Sequence, residues 1–226
     1  MRMRRKARLE ERLAGCVDSG KLIILNCEDR NFVTSVIEKE YLDFETLFGN
    51  RNPVVMEIGA GKGQFACELA KRSPDINVLA VERTSNVIVD AAEKAIAADI
   101  PNLILLRCDA EYLEKFIPTH SIDRLYLNFS CPFPKKSYAA HRLTHRKFLR
   151  IYERLLKPGA EIHQKTDNRP FFQFSLEEFS ECGYTLKNIS LDLHADDYKD
   201  NIVTEYEKRF SDMGMPIYRL EAYIKN

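Results

Sequence analysis

Short apolar runs alternate with longer segments of helical periodicity along most of the chain, from Pro53 onward. The apolar runs have the length of strands, and the longer segments have apolar residues on one helical face. Seven strands are predicted, over VVMEIGAG (54–61), INVLAVER (76–83), NLILLRCDA (102–110), IDRLYLNFS (122–130), AEIHQKTDN (160–168), YTLKNISLDL (184–193) and PIYRLEAYIK (216–225). Helices are predicted over GQFACELAKRS (63–73), TSNVIVDAAEKAIAAD (84–99), RLTHRKFLRIYERLLKPG (142–159), PFFQFSLEEFSECG (170–183) and NIVTEYEKRF (201–210).

Two boundary signals accompany the helices. A Thr/Ser cap at Thr84 is expected to open the second helix, and Pro158 with Gly159 to end the third. Strands separated by helices imply right-handed βαβ units, so the predicted fold is α/β, doubly wound, with a mostly parallel seven-stranded sheet. Residues 1–226 are expected to form a single domain, on which residues 1–52 pack as a basic N-terminal extension with a possible strand over KLIILN (21–26).

The composition, 45% hydrophobic and 30% charged, is that of a soluble globular protein. We expect a cytoplasmic location, because no membrane span or signal peptide is visible and six scattered cysteines without a CxxC pair indicate reduced thiols. For the same reason no metal site is predicted.

The net charge is zero, but two segments are rich in cations and poor in acids. They are the N-terminal cluster (Arg2, Arg4, Arg5, Lys6, Arg8, Arg12) and the central cluster (Lys135, Lys136, Arg142, Arg146, Lys147, Arg150). Either one alone is typical of a solvated helix face, whereas two together favour a positive patch for nucleic acid.

A glycine-rich turn, EIGAGKG, follows the first strand of the alternating series. Ligands of such sheets bind beyond the carboxyl ends of the strands. Gly59, Gly61 and Gly63 are spaced GxGxG, and Gln64 stands where the third glycine of the dinucleotide fingerprint belongs. This spacing favours a ligand without a pyrophosphate.

Acids at three successive strand ends support the same interpretation. Glu57, Glu82 and Asp109 would repel a pyrophosphate but can accept hydrogen bonds from a nucleoside, Glu82 from the ribose and Asp109 from an adenine amino group. The alternative is that glycine turns are common and that acids after strands only cap helices.

The segment LNFSCPFPKK (127–136) leaves the fourth strand on the same side. Pro132 and Pro134 stiffen this loop, which reduces the entropy lost when it is held in one shape.

Taken with VER, CDA, RLTHRKFL, KTDN and NIVTEYEKRF, these motifs resemble the bacterial tRNA guanine-N7 methyltransferases along almost the whole chain. The resemblance implies a class I methyltransferase fold and methyl transfer from S-adenosylmethionine to a guanine of the tRNA variable loop. Carried over by position, it assigns two groups of residues. The cofactor group is Glu57, Gly59, Gly61, Glu82, Asp109, Asn128 and Cys131, and the substrate group is Lys135, Asp167, Thr204 and Glu207.

The chain departs from the family on the substrate side. Cys131 occupies the position of the family's catalytic aspartate, and Phe133 that of its tryptophan. Ser137–Ala140 stand in place of basic residues, and Ala7–Arg8 in place of a Pro-Trp pair. We favour an enzyme that is active but slower. The other hypotheses are a non-catalytic paralogue that binds S-adenosylmethionine and tRNA, an altered form of a normal enzyme, and, weakest, a Cys131 nucleophile.

Structural roles compete with the substrate roles in two places. Asp167 or Asn168 could cap the next helix, and Thr204 with Glu207 forms a capping-box pattern. Either a monomer or a homodimer is compatible with the sequence.

Overall fold

The computed structural model describes residues 4–25, 41–196 and 198–224. The chain divides into two compact units, unit 1 (Met1–Pro118) and unit 2 (Thr119–Asn226). Arg2 of the N-terminal cluster and Cys27, one of the six cysteines, lie outside the described ranges.

Unit 1 contains four parallel strands in the order β1-β4-β3-β2. Its elements are α1 (Leu9–Asp18), β1 (Leu22–Ile24), α2 (Phe44–Phe48), β2 (Val54–Ile58), α3 (Gln64–Arg72), β3 (Asn77–Val81), α4 (Ser85–Ala97), β4 (Leu103–Arg107) and a 3-10 helix (Ala110–Lys115). Every residue of β2 and β3 is buried, which explains why these strands are mostly apolar, with Glu57 and Asn77 as the exceptions.

The described part of the N-terminal extension packs within unit 1. Strand β1 pairs with β4, as the sequence suggested for residues 21–26, and α1 lies against α4. Arg12 forms a two-pronged ion pair with Glu93 of α4, with N···O distances of 2.7 and 2.6 Å. Planar two-point pairing of this kind fixes geometry as well as charge.

Gly63, the third glycine of the turn, sets the distance between two helices. Its φ is +71°, and a Cβ built on it would lie 2.7 Å from the Cβ of Ala91 in α4. No larger residue fits there without moving α3 away from α4, so this glycine has a packing role.

Unit 2 contains strands in the order β5-β6-β8-β7, of which β5 and β6 are parallel and β8 is antiparallel to both neighbours. Its elements are β5 (Ile122–Asn128), a 3-10 helix (Lys136–His141), α5 (Arg146–Leu155), β6 (Leu156–Thr166), α6 (Arg169–Glu181), β7 (Thr185–Ser190), α7 (Glu205–Ser211) and β8 (Tyr218–Tyr223). Within the described ranges, the seven predicted strands are present, and β1 is an eighth.

The predicted boundaries of the third helix are wrong, whereas the predicted start of the second helix at Thr84 is correct. The third predicted helix begins at Arg146 and ends at Leu155, and Pro158 and Gly159 lie inside β6, because Leu156 already pairs with Ile122 of β5. Thr84 stands at the N-cap of α4, but its side chain makes no cap hydrogen bond.

Within the described parts of the chain, no helix has both the length and the apolar character needed to cross a bilayer.

Candidate active site

The glycine turn of unit 1 is tied to the residue that follows β3. Gly59 and Gly61 have φ values of +82° and +57°, which the turn requires and which side chains with a Cβ adopt rarely. The Glu82 carboxylate accepts hydrogen bonds from the Gly61 N–H (3.3 Å) and from the Thr84 N–H (2.8 Å). The turn and Glu82 therefore form one preorganised structure.

The other two acids have different environments. Glu57 lies within β2 and is only 3% exposed. Asp109 caps the 3-10 helix by accepting from the Glu111 N–H (3.1 Å), and it pairs with the exposed Arg83 at 3.5 Å. One oxygen of Asp109 therefore caps this helix, and the other contacts Arg83.

This arrangement fits the nucleoside part of S-adenosylmethionine. The carboxylates of Glu82 and Asp109 are acceptors for hydroxyl and amino groups, and both are only partly buried, so a ligand can reach them. The turn has no Cβ at Gly59 or Gly61, which leaves its backbone open to close approach. Three acids in one region do not fit a pyrophosphate.

In unit 2, the loop after β5 is held by more than its prolines. The Phe129 N–H donates to the Lys165 carbonyl (2.8 Å), and the Arg142 guanidinium donates to the carbonyls of Pro132 (2.9 Å) and Phe133 (3.1 Å). Arg142 also lies over the ring of Phe174, 4.4 Å from its centroid. Arg142 is therefore a structural clamp for this loop, a role that the sequence did not reveal.

The predicted site residues of the loop differ in exposure. Asn128, the last residue of β5, is buried, whereas the Cys131 thiol is exposed, so Cys131 is not a small residue packed in the interior. Lys135 is exposed and lies near the ring of Tyr138, 6.0 Å from its centroid.

A buried ion pair joins β6 to α7. The Lys165 ammonium is 2.7 Å from the Glu207 carboxylate, and the two side chains are 7% and 0% exposed. Lys165 also donates to Asn201 Oδ1 (2.9 Å) and to the Ile202 carbonyl (3.0 Å). Glu207 accepts in addition from Asn201 Nδ2 (2.6 Å) and lies 3.1 Å from His194 Nε2. The carboxylate of Glu207 thus faces the interior of unit 2.

The two helix starts resolve the competing structural roles. Asn168 caps α6 by accepting from the Phe171 N–H (2.9 Å), whereas Asp167 interacts with the hydroxyl of Tyr206. Thr204 caps α7 by accepting from the Glu207 N–H (3.1 Å), so the first half of the capping box is formed. The Glu207 side chain does not complete the capping box; its carboxylate accepts a hydrogen bond from the Lys165 ammonium.

Many cations of the two basic clusters are already paired. In the N-terminal cluster, Arg5 pairs with Glu10, Arg8 with Glu11, and both Lys6 and Arg12 with Asp90. In the central cluster, Arg146 lies 2.8 Å from Glu178 and 2.6 Å from Glu181. These pairs reduce the charge that the clusters offer to a polyanion.

Comparison with known proteins first defines the class. Residues 51–220 match a family model described as a putative methyltransferase. The fold is that of the 16S rRNA methyltransferase KamB (TM-score 0.61, 19% identity, 83% of this chain and 95% of that chain). A SAM-dependent methyltransferase from Aquifex aeolicus has the same fold (TM-score 0.55, 14% identity, 85% of this chain and 95% of that chain). The chain thus has the class I methyltransferase fold.

Sequence relatives narrow the class. A tRNA (guanine-N(7)-)-methyltransferase of Listeria welshimeri is 52% identical over 179 residues, which cover 79% of this chain and 84% of that protein. One of Bacillus cytotoxicus is 47% identical over 195 residues, which cover 86% and 90%. The chain belongs to the tRNA (guanine-N(7)-)-methyltransferase family.

Proposed function

We propose that this protein transfers a methyl group from S-adenosylmethionine to N7 of a guanine in the variable loop of tRNA. The family membership supports the reaction and the substrate. The structural observation that carries the proposal is the Glu82 carboxylate fixed against the glycine turn, because it provides acceptors for a nucleoside without a phosphate site.

The residues divide between the two reactants. Gly59 and Gly61 shape the turn for the methionine part of the cofactor, and Glu57, Glu82 and Asp109 accept its polar groups. Asn128 and position 131 complete this set by resemblance. When bound, S-adenosylmethionine supplies an electrophilic methyl group on a sulfonium.

The protein's task on the guanine side is mainly orientation. Guanine N7 carries a lone pair and no proton, so no general base is needed to make it a nucleophile. Holding the base in line for displacement then provides much of the rate enhancement. Asp167 and the clamped loop from Asn128 to Lys135 are the polar groups available for this in unit 2.

Cys131 reduces the activity in this account. A carboxylate there would accept hydrogen bonds from the N1 and N2 edge of guanine and stabilise the positive charge that develops on the ring, whereas a thiol does neither. The second candidate function, a non-catalytic paralogue that binds the cofactor and tRNA, is favoured by the same exposed thiol.

Binding of the cofactor tests the assignment in unit 1. We expect Glu82→Ala to weaken S-adenosylhomocysteine binding about tenfold to a hundredfold, because hydrogen bonds to a charged group contribute about 1.5–3 kcal/mol. Calorimetry on the full chain measures this. Glu68→Ala is the matched control, since Glu68 pairs with Arg72 on the surface of the same unit. Equal affinities for all three proteins would remove Glu82 from the cofactor site.

Binding of tRNA tests the basic clusters. Lys135 and Lys136 are exposed, so replacing both with alanine should lower the affinity for all tRNAs to a similar extent. The slope of log affinity against log salt concentration should fall by about one for each phosphate contact that is lost. Arg5 and Arg8 are paired with Glu10 and Glu11, and their double replacement should have a smaller effect. Filter binding across a salt series measures both. If the slope is unchanged in the lysine variant, these lysines face solvent and do not contact tRNA phosphates.

We also propose that residues 1–226 form one cytoplasmic methyltransferase domain, as a monomer or a homodimer. A single unfolding transition supports one domain, two separate transitions oppose it, and light scattering gives the oligomeric state.

A further inference from the structure

The segment Thr204–Glu207 is assigned to the substrate by resemblance, yet its side chains point to different surroundings. Thr204 is 8% exposed and its hydroxyl caps α7, and Glu207 is 0% exposed and pairs with Lys165. Tyr206, which lies between them, is 47% exposed. Of these three, only Tyr206 offers a surface that a tRNA base can reach.

The ring of Tyr206 is held by two other aromatic rings. Its centroid lies 5.0 Å from that of Phe129, in the loop after β5, and 4.7 Å from that of Phe210, one turn further along α7. Both distances are those of favourable aromatic pairs. Phe129 is itself fixed by its N–H bond to Lys165 and has a positive φ of 50°. The ring therefore has a defined position despite its exposure.

The hydroxyl of Tyr206 connects this ring to the polar groups assigned to guanine. The charge of Asp167 acts on this hydroxyl, so the two groups lie near each other. Partial burial and then the charge of Asp167 raise the pKa of Tyr206 above its usual value. An exposed aromatic face thus lies near the carboxylate of Asp167 and against Phe129, two residues before Cys131.

We infer that Tyr206 is the stacking residue for the target guanine, and that Thr204 and Glu207 are positioning residues that hold α7 so that this ring is presented. The inference rests on the proposed function and specifies its substrate contact. RNA-binding proteins commonly hold an unstacked base on an aromatic side chain, and each such contact contributes substantially to binding. Asp167, which lies near the phenol, then accepts from the polar edge of the stacked base.

The chain contains no tryptophan, which permits a direct test. In Tyr206→Trp the new residue is the sole indole, and unmodified tRNA should quench its fluorescence. The quenching should be lost with a tRNA in which the target guanine is replaced by an abasic site. Tyr138→Trp is the matched control, because Tyr138 is also 47% exposed and lies in the same unit. Its signal should not depend on the target base. Quenching at position 206 that persists with the abasic tRNA, or no quenching although tRNA binds, overturns the inference.

Kinetics provide a second readout. Tyr206→Phe keeps the ring and removes the hydroxyl near Asp167, whereas Tyr206→Leu removes both the ring and the hydroxyl. We expect kcat/KM for tRNA to fall about tenfold to a hundredfold in the leucine variant and clearly less in the phenylalanine variant, with an unchanged KM for the cofactor. Equal losses in the two variants would contradict stacking and assign the effect to the hydroxyl. If the wild type methylates a different base, the proposed function fails instead, whereas normal methylation with an unaffected leucine variant refutes stacking alone.

Discussion

Replacing Cys131 with aspartate should raise the rate of tRNA methylation about a hundredfold. A preorganised group that stabilises developing charge typically contributes about 3 kcal/mol, which corresponds to that factor. Cys131 is exposed on a loop that Arg142 clamps through two backbone carbonyls, so the backbone that would carry the carboxylate is already fixed. Cofactor affinity should change much less, because most of the predicted cofactor residues lie in unit 1.

The comparison of wild type and variant separates the hypotheses about position 131. A slow enzyme gives measurable wild-type turnover and a gain in the aspartate variant. An altered form of a normal enzyme gives almost no wild-type turnover and full activity in the aspartate variant. A non-catalytic binding paralogue gives no turnover with either protein. Cys131→Asn is the matched control, since it has the shape of aspartate without the charge. If the aspartate variant folds, binds cofactor and tRNA, and is no faster than wild type or Cys131→Asn, the role assigned to this position is wrong.

Replacing Lys165 with methionine should lower the free energy of unfolding by about 3–5 kcal/mol, because it leaves the Glu207 carboxylate buried without its cation. Glu207 is 0% exposed, so water cannot replace the lost partner. The variant should also lose activity, since α7 carries Tyr206 and is attached to β6 through this pair. Urea unfolding measures the stability, and turnover under native conditions measures the second effect.

The same helix offers a matched control. Lys208 and Asp212 form an ion pair 3.0 Å long whose side chains are 69% and 61% exposed. Lys208→Met should cost about 0.5 kcal/mol or less, as exposed pairs do. In the double variant Lys165→Met with Glu207→Leu, most of the stability should return, because no buried charge is left without a partner. A loss below about 1 kcal/mol in Lys165→Met would show that the pair does not anchor α7.

The sequence predicted those features that depend on local pattern. Strands β2 and β3 are mostly apolar because their residues are buried on both faces of the sheet, and their positions in the chain follow from this pattern. The position of Glu82 directly after β3 was also predictable, since a residue that follows a parallel strand lies at the ligand edge of the sheet. The helix end at Leu155 was missed because Leu156 pairs with Ile122, and a distant strand decides that boundary more strongly than Pro158 and Gly159.

The internal contacts of the site depend on tertiary structure and could not be derived in the same way. The capping-box pattern correctly placed Thr204, but the partner of the Glu207 carboxylate is Lys165, 42 residues away in sequence. One signal was present, because a lysine near the carboxyl end of an interior strand needs a buried counter-charge. Arg142 looked like a cation for RNA, and its contacts with Pro132 and Phe133 depend on the path of the loop.

The central claim is tested most directly by mapping the product. The protein is incubated with S-adenosylmethionine labelled in its methyl group and with unmodified tRNA, and the labelled nucleotide is located. We predict label on N7 of one guanine in the variable loop, slowly for the wild type and faster for Cys131→Asp. Label on another atom or another part of the tRNA, or no label from either protein when both bind cofactor and tRNA, would contradict the account.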